Sequence, residues 1–308
     1  MDLALLSDLL YTALRAGTPL ALCALGVLLA ERSGVLNLGQ EGIMLMGAVV
    51  GFVVGVKTEN YVAAVLAASA TGAAMGLLFV GLTLKLYANP VASGLALAVF
   101  GSGLSTFIGS DYVGSSLAGI QSIAIPGLAE IPLIGKALFA QDPLLYLAWA
   151  LALAVGLVLH RSRRGLLITA VGEDPDVAHR LGIRVLPTRA ATACAGAALT
   201  GLGGAYLSLV YTPLWTADMT AGRGWIALAM VVLAGWRTGS VILASYLFGF
   251  FSILNLLMQD MGWSVSPNFL AMTPYVFCLL ALIILSGQGR FSARRAPSAL
   301  GQSFHPES

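Results

Sequence analysis

The chain has 308 residues, of which 58% are hydrophobic and 10% charged, with a formal net charge of +2. Soluble domains carry about a quarter charged residues, so this composition excludes a soluble enzyme and a disordered chain and describes a membrane protein. So small a charge, on scattered basic residues, also leaves no footprint for nucleic acid.

Nine apolar runs follow in chain order: Leu9 to Ala30, Leu36 to Val56, Tyr61 to Leu84, Val91 to Gly109, Leu144 to Leu159, Ala190 to Tyr211, Trp225 to Trp236, Val241 to Met258 and Phe269 to Leu285. Met1 to Leu10 holds Asp2 and Asp8 but no Lys or Arg, unlike a cleavable signal peptide, so the first run is expected to stay as a span. Hydrocarbon offers no partner to backbone N–H and C=O groups, so the runs must be helices. The fold class is therefore all-α, a polytopic helix bundle of about nine hydrophobic segments. The seventh run is too short to cross ~30 Å of hydrocarbon at about 1.5 Å per residue. It is either a half-helix packed inside the protein or a span that borrows its flanks.

Charge sets the orientation. With the loop 161–189 in the cytoplasm, alternation puts Arg32, Lys85, Arg161, Arg163, Arg164, Arg180, Arg184, Arg189, Arg237, Arg290, Arg294 and Arg295 inside. Arg15, Lys57, Lys136 and Arg223 remain at or near the outer end, and most acids, Asp142 and Asp218 among them, fall outside. This bias predicts the N-terminus out and the C-terminus in. Residues 1–286 then form one transmembrane domain, with the cytoplasmic loop 161–189 inside it. Residues 287–308 form a polar cytoplasmic tail expected to be disordered. The external loop Ser110 to Gln141, with Gly114, Gly119, Pro126, Gly127 and Pro132, reads as a packed cap.

The cytoplasmic loop carries the sharpest local signal. Asp174 is a good N-cap, Pro175 suits the first helical position, and Asp176 favours the positive helix end. Arg180 falls in the last turn, and Gly182 can take the left-handed conformation that ends a helix. The result is a capped helix of about two turns, too short to be stable alone in water. It needs a partner surface, through Val177, Leu181 and Ala178, or else rests on the ends of its own spans.

Four segments in order, GVLNLGQEGIMLMGA from Gly34, NPVASGLALAVFGSGLS from Asn89, VGEDPDVAHRLGI from Val171 and AGRGWIALAMVVLAGW from Ala221, resemble the permease subunits of ABC importers. The likeness is to the ribose, branched-chain amino acid and nucleoside group, nearest its nucleoside branch. Ribose-type members carry a further N-terminal span. The resemblance implies a subunit of the bacterial cytoplasmic (inner) membrane that moves a nucleoside or related small solute inward. It implies coupling to an ATPase through Gly172, Glu173, Asp174, Pro175, Ala178, Arg180, Leu181 and Gly182. The implied partners are that ATPase, a second permease subunit, an external substrate-binding protein and membrane lipid. ATP and Mg would sit on the ATPase and no cofactor on this chain, which has no G-x-x-x-x-G-K-[ST] loop.

Candidate pathway residues are Asn37, Gln40, Glu41, Asn89, Ser93, Arg223, Trp225 and Asn255. Glu41 is an ionisable group inside a span, a functional candidate by default that can line the pathway or hold the start of the broken helix, but close enough to the boundary to reach interfacial water or Arg32. Asn89 can cap a turn or touch solute. Trp225, Tyr211, Trp215 and Asn255 can stack on or bond to a nucleobase, or anchor the membrane interface. Arg223 can meet an incoming ligand or a binding protein, or pair with Asp218. Interruptions at Gly34 to Gly39 and Gly222 to Gly224 place a site near the junction of the two halves.

Other classes fare worse. A sugar or branched-chain amino acid permease is the near alternative, and an ion-coupled secondary transporter the next, weakened by the scarcity of buried acids. His160, His179 and His305 all fall at the cytoplasmic side, so an intramembrane enzyme lacks a base, and no metal motif occurs. Cys23, Cys194 and Cys278 lie in apolar runs without metal or disulfide spacing.

Overall fold

The computed structural model describes residues 3–132, 134–260 and 296–305, with Met272, Tyr275, Val276, Leu280 and Ile283. Apart from those five positions the ninth apolar run, and Cys278 in it, lies outside the described residues. Among the described residues all regular elements are helical, with one antiparallel bridge between Ser116 and Leu214.

Six helices are long and apolar enough to cross a bilayer. They are α1 (Leu3–Glu31), α2 (Gln40–Thr58), α3 (Tyr61–Val80), α4 (Pro90–Gly109), α6 (Pro143–Arg161) and α9 (Val185–Tyr206). α3 and α9 each run on into a widened π turn, Gly81–Lys85 and Leu207–Tyr211. Between them stand the short α5 (Gly135–Phe139), α7 (Arg163–Glu173) and α8 (Pro175–Arg180). Last come α10 (Arg223–Leu233) and α11 (Thr238–Asp260).

Three helices open with one device. An Asn or Asp side chain caps free N–H groups, and the following Pro needs none. Asn89 accepts from Val91 and Ala92 ahead of α4, Asp142 from Leu145 ahead of α6, and Asp174 from Asp176 and Val177 ahead of α8.

α1 and α9 form the centre and are buried on nearly all sides, whereas α6 is peripheral. Small residues let their backbones approach their neighbours. A side chain at Gly204 of α9 would collide with the carbonyl of Met44 in α2, and one at Gly72 of α3 with that of Ala197 in α9. Cys23 is buried and Cys194 half-buried, both as free thiols.

The loop Ser110 to Gln141 is held to its own C-terminal end, with Ile123 and Ile125 donating to the carbonyls of Gln141 and Phe139. Asp142, expected among the outer acids, is fully buried beneath it. It accepts the Tyr206 hydroxyl at 2.8 Å and lies 3.8 Å from Arg15 Nε.

The tail departs from the expected disorder. Residues 296–305 fold back: Ala299 N–H donates to Gly172 O, Gly301 N–H to Gly34 O, and Arg189 Nη1 to Gln302 O. Composition alone reads this stretch as solvated, but Ala299 and Phe304 are both buried, and Phe304 joins a small core with Val171, Ala178 and Val185.

Candidate translocation junction and coupling surface

α2 begins level with the middle of neighbouring spans rather than at their ends. After α1 the backbone leaves helical geometry, turns at Gly34 (φ +86°) and reaches Gln40 without a regular element. The Gln40 Oε1 accepts from Thr200 Oγ1 at 2.7 Å. Thr200 lies within the span Val185–Tyr211, roughly 22 Å from one end and 16 Å from the other at 1.5 Å rise per residue. A side chain on Gly101, near the middle of α4, would stand 2.5 Å from the carbonyl oxygen of Gly42. The start of α2 is thus level with the middle of two spans.

From the other face the chain descends to the same level. Beyond α9, Pro213 O accepts from Leu117 N–H, Trp215 packs against Gly109 at the end of α4, and Asp218 Oδ1 accepts from Ser102 Oγ at 3.2 Å. Thr220 then reaches Glu41 and α10 begins. At its far end Trp236 Nε1 donates to Glu31 Oε2 at 2.7 Å. The seventh run is therefore an 11-residue half-helix, and the loop above it completes the crossing. Asp218, expected near the outer end, stands level with the middle of α4 through Ser102, and Arg223 follows it at the start of α10.

Glu41 joins the two interruptions. Its Oε1 accepts from Thr220 Oγ1 at 2.5 Å and Gly222 N–H at 2.8 Å, and its Oε2 accepts from Gly224 N–H at 2.7 Å. A carboxylate suits that place, because the first N–H groups of α10 lack intrahelical partners and carry the positive end of the helix dipole. Gly224 has no room for a side chain, since a Cβ there would stand 2.5 Å from Glu41 N.

The other candidates divide. Asn37 is buried and accepts from Gly39 N–H at 2.8 Å, closing the turn before α2. Ser93 is buried in the first turn of α4, and Asn89 caps that helix. Arg223 donates to the carbonyls of Thr220 (3.1 Å) and Met219 (3.4 Å) and sits over the Tyr211 ring, while Asp218 takes Ser102. Trp225 is 39% exposed, and Trp215 is buried. The side chain of Asn255 lies outside the described residues.

The loop 161–189 contains the expected capped helix. α8 has six residues, Gly182 stands at φ +80°, and Ile183 N–H bonds back to Ala178 O. Ala178 turns inward, whereas Val177 and Leu181 project, 50% and 75% exposed. Gly172 is packed so that a side chain would collide with Arg32 O. Glu173 accepts from Ser298, and Arg180 is exposed. Sequence reasoning passed over α7, although Ser162 caps it through Gly165 N–H as a serine before a helix should. Asp218 reads from sequence as an outer acid or a partner for Arg223, and its bond to Ser102 carries no local sequence signal.

Two broken helices meeting at mid-membrane, above a capped rod with an exposed apolar pair, define a membrane transport subunit. The chain belongs to the family described as branched-chain amino acid transport system / permease component, which it matches over residues 9–286. It is 41% identical to TsgC13 of Haloferax volcanii, named provisionally as a glucose ABC transporter permease, over 85% of this chain and 81% of the relative. It is 31% identical to the nucleoside ABC transporter permease NupC of Lactococcus lactis, over 93% of each chain. The guanosine ABC transporter permease NupQ of Bacillus subtilis is 30% identical over 97% of each. No solved structure gives a significant match.

Proposed function

We propose that this chain is the translocation subunit of an ABC importer in the cytoplasmic membrane, N-terminus out and C-terminus in, which carries a nucleoside or related small solute inward. A separate ATPase, holding ATP and Mg, docks on α8. A second permease subunit completes the conduit, and an external binding protein delivers the solute. Closure of the ATPase would push α8 and move the junction at Glu41 through the loop that Gly172 packs against.

The observation that carries this reading is α8 itself. A six-residue helix is unstable alone, yet here it is capped, seated inward through Ala178, and left with Val177 and Leu181 facing out. Such a pair marks a contact surface. Cysteines at Val177 and Leu181 should crosslink to the ATP-binding subunit in the assembled importer, with a yield that changes when ATP binds. Uptake that persists without an ATPase would instead favour ion coupling.

A simple sugar is the second reading, favoured by the identity to TsgC13. Competition between guanosine and glucose for uptake by the reconstituted importer separates the two.

A further inference from the structure

We propose that Asp218, held by Ser102 at the centre of the membrane, is a recognition point for hydroxyl groups of the transported solute. The solute is a neutral polyhydroxylated molecule, a nucleoside through its ribose or a hexose. This rests on the transport reading above and narrows it.

Ser102 is twelve residues from Pro90 and ten from Tyr112, the limits of its span, so the carboxylate it holds is at mid-membrane. Asp218 is nevertheless exposed on this subunit. An ionised group is not left facing hydrocarbon at that depth; it faces a water-filled cavity or a partner. Oδ1 takes the serine hydroxyl, and Oδ2 has no hydrogen bond among the described residues. A carboxylate only accepts, so its free oxygen seeks a donor such as a sugar hydroxyl, the way an acidic residue takes ribose hydroxyls in dinucleotide sites.

The surroundings fit. Asp218 (φ 54°), Ala221 (φ 47°) and Gly222 (φ 80°) are all left-handed, a strain that persists where the surrounding structure enforces it and that clusters at ligand sites. Gly103, beside Ser102, has open space where a side chain would be, and the Trp225 ring is exposed on the helix that follows. Arg223, the cation nearest in sequence, is turned onto the Met219 and Thr220 carbonyls and the Tyr211 ring. An amino acid's carboxylate would thus meet a like charge here with no guanidinium offered to it.

The test uses the importer reconstituted with its ATPase and binding protein, measuring uptake of guanosine, 2′,3′-dideoxyguanosine, glucose and leucine. Asn tolerates the left-handed backbone, so Asp218→Asn removes the charge without forcing the loop. Wild type should prefer guanosine over its dideoxy analogue, or carry glucose, about tenfold or more above leucine. Asp218→Asn should lower that uptake about tenfold and bring the guanosine-to-dideoxy ratio towards one, with Ser102→Ala between. A purely structural role would lower every solute equally. An unchanged ratio in Asp218→Asn, with wild type still carrying guanosine or glucose, overturns this proposal alone. Loss of permease pairing in Asp218→Asn assigns the residue to the subunit interface and also overturns it. Wild-type uptake of leucine alone overturns both this proposal and the substrate class.

Discussion

Glu41 and Gly224 are 183 residues apart in the chain, yet the N–H of one donates to the carboxylate of the other at 2.7 Å. That bond, with those from Gly222 and Thr220, makes the start of α2 the N-terminal anchor of α10. Any movement of the loop between α1 and α2 is therefore transmitted to the half-helix at mid-membrane.

Glu41→Ala should remove the anchor and leave two backbone N–H groups without an acceptor. Hydrogen bonds to a charged group contribute about 1.5–3 kcal/mol each, and a buried orphan costs about as much. The expected outcome is a fall in thermal stability of the purified protein together with loss of uptake. Glu41→Gln keeps one acceptor oxygen and should fall between. Wild-type stability in Glu41→Ala would remove the anchoring role.

Gly182 separates backbone demand from steric demand. It stands at φ +80° with nothing within 4 Å of where a side chain would be. Gly182→Asn should therefore behave almost as wild type, whereas Gly182→Val should cost about 1–2 kcal/mol locally by opposing the left-handed turn. ATP hydrolysis and uptake, measured together, should come uncoupled in Gly182→Val while the protein still inserts. Coupled transport in that variant would count against α8 as the coupling element.

Leu181 and Val177 offer the converse test, because neither supports the fold from its exposed position. Leu181→Glu should leave the melting temperature within about 0.5 kcal/mol equivalent of wild type, the usual range for surface changes. Association with the ATPase should weaken, read by co-purification. A stability loss without an assembly loss would place Leu181 in packing instead.

The parts legible in the sequence are those written by local chemistry. Asp174-Pro175 and Gly182 bracket α8 within nine residues, and the brevity of Trp225 to Trp236 leaves two readings, a half-helix or a span borrowing its flanks, of which the structure shows the half-helix. What was hidden depends on distant partners. No local signal pairs Glu41 with Gly222, so holding a broken helix start, lining the pathway, reaching interfacial water and pairing with Arg32 all stay open for it on sequence alone. Alternation of spans placed Asp218 and Arg223 near the outer end because it treats each run as a full crossing, whereas here a descending loop supplies half of one. The tail misled by composition. Ser, Pro and Arg around it read as solvated, but buried Phe304 and Ala299, two backbone N–H groups and the Arg189 guanidinium dock this short segment on surfaces that exist only in the folded protein.

That docked tail makes the last prediction. Phe304 is 4% exposed and shares its core with Ala178, the inward residue of α8, and Val171 of α7. Nearby, Ala299 and Gly301 donate to the carbonyls of Gly172 and Gly34, tying the end of α7 to the segment that leads into α2. Truncating a buried Phe to Ala costs about 3–5 kcal/mol, and the small size of this core concentrates the loss there. Phe304→Ala should speed hydrogen exchange of backbone amides in Val171–Ile183 and in the first turn of α9, where Val185 shares this core, while α1 and the middle of α9 keep their protection. Transport should fall without loss of insertion, since a loosened α8 moves without carrying the α2 start with it. Exchange unchanged around α8 would mean that the tail rests on the loop without supporting it.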